Sequence, residues 1–135
     1  MLSAPRASFA LADARRSLEQ SLRRLRTDYL DFLFLHEPDL AALGDGEMAG
    51  WLEAQRAAGT IRAFGLAGPA ARVAPFVAAG HALAAVVQTQ DSLAGREADF
   101  LINAGRPLQF TYGYLRGMPE ERAAQADFMA ALLAR

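Results

Sequence analysis

The chain has 135 residues, a formal net charge of −1, 53% hydrophobic and 21% charged residues, and no cysteine. That length suits one domain spanning residues 1–135, able to bury roughly two thirds of its unfolded surface. Near-neutral charge offers no field to attract nucleic acid, and the missing cysteines exclude disulfides, thiolate metal sites and a cysteine nucleophile.

With two histidines far apart in sequence, no metal site is expected. The apolar runs are short and interrupted, so no membrane span is expected. Residues Met1 to Phe9 lack the charged and apolar regions of a signal peptide, which makes the cytoplasm the expected compartment. All fourteen basic residues are arginine, and the chain contains no lysine.

In chain order, Ala14, Leu18, Leu22 and Leu25 recur three or four apart and predict a helix over Asp13 to Arg26, with Asp13 as its N-cap. Tyr29 to Leu35 is apolar except for Asp31 and reads as a strand covered on both faces, as in parallel sheets. Pro38, in His36-Glu37-Pro38-Asp39, ends it because proline cannot donate to a ladder. A helix over Glu47 to Ala58 puts Met48, Trp51 and Leu52 inward and stops at Gly59. Ile61 to Leu66 is a second strand. Gly68-Pro69 opens a third helix with proline at its first position, carrying Val73, Phe76 and Val77 toward Gly80. Leu83 to Val87 is a third strand, followed by Gln88. A helix near Glu97 to Ala104 and a strand over Leu108 to Tyr112 come next. A last helix starts near Pro119, where Glu120 and Glu121 suit its positive dipole end.

A helix followed by four strand–helix units implies an α/β fold with a parallel sheet and right-handed crossovers. Such a sheet is either an open doubly wound sheet or half of an eight-stranded (β/α)8 TIM barrel. No glycine-rich phosphate loop follows any strand, which favours the half barrel.

Working groups in parallel α/β folds sit at the carboxyl ends of the strands. Those ends carry His36, then Ala67-Gly68, then Gln88, then Tyr112 with Tyr114. Each has a purely structural alternative. A strand-end histidine can be a hydrogen-bonded packing residue, Gln88 can satisfy backbone groups at the strand end, and the tyrosines can pack with wet hydroxyls. Arg23, Arg24 and Arg26 read as a solvated helix face. His81 precedes its strand and is assigned no role.

Ser17-Leu-Glu-Gln-Ser-Leu-Arg-Arg-Leu25, Thr27-Asp-Tyr-Leu-Asp31 and His36-Glu-Pro-Asp39 together resemble the aldo-keto reductase segment leading into the fourth barrel strand. Gly59-Thr-Ile-Arg-Ala-Phe-Gly65 resembles the fifth strand, Val86-Val-Gln88 the sixth, and Leu108 to Leu115 the seventh. The resemblance implies a (β/α)8 barrel binding NADPH and transferring hydride to a small aldehyde or ketone. It makes His36 the tetrad histidine that orients the substrate carbonyl. It makes Gln88 the holder of the nicotinamide carboxamide and Tyr112 the aromatic stacking on the ring.

The departures are as informative. The family's Ser-Asn pair after the fifth strand reads Ala67-Gly68 here, so Gly68 stands as a cofactor-contact position without a side chain. The tetrad's Asp, Tyr and Lys have no counterparts, and Tyr29, which belongs to the motif before the fourth strand, is not the tetrad tyrosine. NADP(H) binding is therefore expected to be weak or absent, and a truncated chain of this kind is expected to be inactive alone. Arg26 stands where the family has glycine, which costs about 1 kcal/mol if the residue is left-handed.

Two function classes follow. One is an NAD(P)H-linked carbonyl oxidoreductase assembled with a second copy in a homodimer that closes the barrel, although its tetrad would still lack Tyr and Lys. The other is a non-catalytic half-barrel binding or scaffold module, a pseudoenzyme or gene remnant, for which a homodimer is equally open.

Overall fold

The computed structural model describes residues 9–38, 43, 46–93, 95–117 and 122–134. The elements run α1 (Leu11–Leu25), β1 (Leu30–His36), α2 (Glu47–Ala57), β2 (Ile61–Ala67), α3 (Ala70–Ala78), a 3-10 turn (Ala82–Ala84), β3 (Val86–Gln90), α4 (Glu97–Ala104), β4 (Leu108–Tyr112) and α5 (Arg122–Leu133). The four strands form one sheet in the order β1-β2-β3-β4, and every pairing is parallel. Each crossover is therefore a helix, as parallel pairing demands.

Strand alternation sorts the side chains into two faces. Leu35, Phe64, Leu66 and Val87 point to the helices and join a buried cluster with Leu18, Met48, Trp51, Leu52, Val73, Phe76, Val77 and Leu101. Leu52, Leu66, Val87 and Leu101 have no exposed surface at all, each such side chain contributing roughly 1.5–3 kcal/mol of transfer free energy. The opposite face carries Phe32, Phe34, Ala63, Gly65, Val86, Gln88, Leu108 and Phe110, as the register requires.

That second face is not covered, contrary to the two-sided burial expected of β1: Phe32 is 39% exposed and Leu108 59%. Four strands cannot wrap their own interior; they can only curl around it. The curl is pronounced. Phe110 on β4 meets Phe32 on β1 edge-on at 4.6 Å and Phe34 at 6.0 Å, across two intervening strands. Small residues make this possible: Ala63 and Gly65 on β2 leave the rings a valley to cross. At Gly65 an added Cβ would lie 2.0 Å from the Val86 carbonyl oxygen, so no other residue fits.

Three local expectations need correction. Residues 82–84 form a 3-10 turn, and the third strand starts at Val86 and runs to Gln90 instead of covering Leu83 to Val87. His81 sets this shift, because its Nδ1 accepts from the Leu83 N–H at 3.2 Å and caps the turn. Asp13 lies in the first turn of α1, whose N-cap is Ala10, and it bonds Arg16 instead of capping the helix. Pro69 is the N-cap of α3, one position before the first helical residue. Arg26 does adopt the left-handed conformation, at φ 56° and ψ 47°. Residues 118–121, where the last helix was expected to start, lie outside the described residues.

At the amino ends of β1 and β2, Arg62 bonds Asp31 at 2.7 Å and lies 4.3 Å over the Tyr29 ring. Tyr29 is thus a packing surface for a guanidinium, at the end of the sheet away from the strand carboxyl termini.

Candidate functional site at the strand carboxyl ends

The carboxyl ends of the strands are stitched together by main-chain bonds. The N–H of Glu37 donates to Ala67 O at 2.7 Å, that of Gly68 to Gln88 O at 3.0 Å, and that of Asp91 to Tyr112 O at 2.8 Å. The register places His36 level with Ala67, Ala67 with Gln88, and Gln90 with Tyr112. Above them lies a cavity of about 180 Å³ lined by His36, Glu37, Gly68, Pro69, Ala70, Gln90, Glu97 and Tyr112. A volume of this size suits one ring or a short ligand end, well below a whole dinucleotide.

Three of the four residues singled out from sequence meet there. His36 ends β1 with its side chain exposed, Tyr112 ends β4 with 52% of its surface exposed, and Gly68 is buried beneath them. Gly68 has φ +150°, and the space its side chain would take lies 3.0 Å from Glu37 Cγ. Its N–H is already committed to Gln88, so a ligand meets only its carbonyl. Gln88 lies two residues below the strand end, on the same face as Gln90, and does not line the cavity. It is half-buried, and its amide makes no hydrogen bond among the described residues.

Gln90 takes the place at the rim. Its Nε2 donates to Glu97 Oε1 at 3.2 Å, and its Oε1 accepts from Arg116. Glu97, in the first turn of α4, also accepts from the Ser92 N–H at 2.8 Å and from the Ser92 hydroxyl at 3.2 Å. The Ser92 N–H bond is the main reason its carboxyl is held below the ordinary glutamate value of 4.5, with burial opposing it. Glu97 is therefore ionised at neutral pH. Asp91, 2% exposed, accepts from the Ala98 N–H at 3.2 Å and fastens the same helix start.

This chain of Arg116, Gln90, Glu97 and Ser92 was not singled out in the sequence. The available signal was the period of two along β3: once the strand extends past Gln88, Gln90 shares its face. Ending the strand at Val87 hid it.

The family of the chain is settled by its sequence. The model of the Aldo/keto reductase family matches residues 3–99, more than half of the 135. The chain belongs to the aldo/keto reductase family. No curated protein matches it. Solved structures do. One, a protein of Pseudomonas aeruginosa assigned to the aldo-keto reductases, is 21% identical, with a TM-score of 0.69 over 99% of this chain and 52% of that one. A structure assigned as a 2,5-diketo-D-gluconic acid reductase B is 24% identical, with a TM-score of 0.57 over 80% of this chain and 40% of that one. The holo form of an aldo-keto reductase from Bacillus halodurans is 21% identical, with a TM-score of 0.56 over 84% of this chain and 46% of that one. At such identities the likeness speaks for the fold. The chain spans about half the length of these structures, and its fold is the corresponding part of the aldo-keto reductase barrel.

The residues present fit one end of a nicotinamide dinucleotide and not the other. The exposed Tyr112 ring at the cavity suits a flat ring, whereas the Gln88 amide lies below the cavity and does not line it. The charged side chains lining the cavity are Glu37 and Glu97, which repel phosphate. Arg116, the nearest guanidinium identified at the rim, is engaged with Gln90. No helix among the described residues is long and apolar enough to cross a membrane.

Proposed function

We propose that the strand ends hold the nicotinamide end of NADP(H) and orient a small aldehyde or ketone beside it, as one half of a carbonyl reductase site. The observation that carries this reading is the cavity that gathers His36, Gly68 and Tyr112 at the carboxyl end of a parallel half barrel. When bound, the reduced nicotinamide would supply the hydride. Tyr112 would offer its exposed ring as a stacking surface, which is worth about 0.5–1.5 kcal/mol beyond area. Gln88, with one donor group and one acceptor to match a carboxamide, would meet it only where the ring reaches below the cavity toward that residue. His36 would donate an N–H to the carbonyl oxygen and hold the carbon over the ring.

The proton donor is what these residues do not supply. Glu97 is ionised, and the chain has no lysine to tune a tyrosine. Loss of a positioned general acid removes about 10²–10⁴ in rate. The reading is therefore of a half-site that binds and orients without turnover on its own. Phosphate recognition, the strongest polar contact a dinucleotide makes, is also lacking at this cavity, so affinity is expected to be weak.

A second reading, a non-catalytic binding or scaffold module, draws support from Ala67-Gly68 in place of the family's Ser-Asn pair and from the two carboxylates at the mouth. Fluorescence titration of NADPH against the wild type, Gln88→Ala and Tyr112→Ala decides between them. Binding weakened several-fold by both substitutions supports the nicotinamide half-site. No saturation at millimolar NADPH, or binding that ignores both substitutions, leaves the module reading.

A further inference from the structure

Among the described residues, β1 and β4 each have one unpaired edge. Such edges present rows of free N–H and C=O groups and invite pairing. The face between them exposes Phe32 and Phe110 at 39% and 38%, and Tyr112 at 52%. We propose that these edges and this face form an interface for a second copy of the chain. Two copies, related by a twofold axis along the sheet's centre, close one eight-stranded parallel barrel.

Register gives the pairing. The line of level residues runs His36, Ala67, Gln88, Phe110 from β1 to β4. It begins at the last residue of β1 and reaches β4 at its middle residue, so it descends toward the amino ends. In a barrel of this type the line shifts by about eight residues per circuit, which is about four per copy under twofold symmetry. Four residues below His36 is Phe32. Phe110 of one copy then lies level with the partner's Phe32, Leu108 with the partner's Leu30, and Arg106 with the partner's Asp28. The shift is even, so the exposed apolar side chains of both copies stay on the inside.

Charge agrees with this register. Asp28 and Arg106 are both exposed, and neither makes an ion pair among the described residues. Pairing β4 with the partner's β1 sets Arg106 level with the partner's Asp28, opposite signs, at both junctions of the twofold assembly. Glu37 leans on Gly68 after β2 and Arg116 bonds Gln90 at the end of β3, so neither stands on a free edge. The outer side of the β4–β1 junction needs one helix. α1 supplies it, packed over β1 through the buried Leu18, while α5, most of whose described side chains are exposed, stays outside the ring.

Sedimentation equilibrium of the full chain at micromolar concentrations tests the assembly without any ligand, so it stands or falls apart from the NADPH titration. The expected mass is twice the 14.5 kDa of one chain. Phe110→Asp is expected to give a monomer with an unchanged far-ultraviolet circular dichroism spectrum. Arg106→Asp is expected to weaken association roughly tenfold or more, since each of the two junctions loses an opposite-charge pair, and Asp28→Arg added to it is expected to restore the dimer. The charge exchange decides the matter if Phe110→Asp does not fold. A wild-type monomer, a larger or open-ended assembly, or a charge exchange without rescue overturns the proposal.

Discussion

The Phe110 ring on β4 stands edge-on against the Phe32 ring on β1, with centroids 4.6 Å apart and planes at 67°. Strands that are first and fourth in a flat sheet would be some 14 Å apart, at about 4.8 Å per step. The contact therefore measures how far the sheet has curled, and it is the barrel's curvature held by four strands alone.

Because the two rings touch, their substitutions should not be additive. A double-mutant cycle with Phe32→Ala and Phe110→Ala is expected to return a coupling of about 0.5–1.5 kcal/mol in urea unfolding. Additive losses would mean that the rings do not hold the curl.

Gly65 stands on β2, level with Phe34 of β1. Its missing side chain lets β2 approach β3 so closely that a Cβ would lie 2.0 Å from the Val86 carbonyl oxygen. The obstacle is backbone, which cannot rotate away. Gly65→Ala is expected to cost about 3 kcal/mol or more, read as a lower urea midpoint, or to prevent folding. Gly50→Ala, with nothing within 4 Å of the added carbon and a position inside α2, is the matched control and is expected to be neutral or stabilising.

Arg26 closes α1 in the left-handed region at φ 56°, where a side chain is strained. Its head group is exposed and adds no ion pair among the described residues. Arg26→Gly should therefore stabilise the chain by about 1 kcal/mol, seen as a rise in melting temperature of roughly 3–5 °C. An unchanged or lower melting temperature would show that the arginine offsets its own strain.

Glu97 links the exit of β3 to the start of α4. Its folded value is depressed, so its stabilising effect is present above the ordinary glutamate value of 4.5 and is lost as pH falls through the lower folded value. Glu97→Gln is expected to be less stable than wild type at neutral pH, with the gap closing under acid. The Ser92 amide, which donates to Glu97 at 2.8 Å, should exchange faster in the variant. A stability gap that is constant across this acid range would remove ionisation as the cause.

Much of the fold was legible in the residues. The inward set Met48, Trp51 and Leu52, and the set Val73, Phe76 and Val77, follow from helical period alone, and all six are buried. Leu108 to Tyr112 is the observed β4. Period is a local property, and burying one helical stripe needs no knowledge of which element covers it. Where the local signal is ambiguous, tertiary contacts decided. Leu83 to Val87 is apolar enough for a strand, yet β3 takes its register from Leu66 and Leu108 on either side, and His81 caps the residues before it into a turn.

The site divides in the same way. His36, Gly68 and Tyr112 could be placed at strand ends from sequence because parallel α/β chains put those ends on one side. That Gln90 and not Gln88 reaches the cavity depends on a strand that runs three residues past its apolar stretch, the last two of them paired with β4. The link from Arg116 through Gln90 to Glu97 joins residues far apart in the chain, and the Phe32–Phe110 contact spans nearly eighty positions. Residue order settled which groups arrive at the carboxyl end of the sheet. The curl of the sheet settled which of them meet.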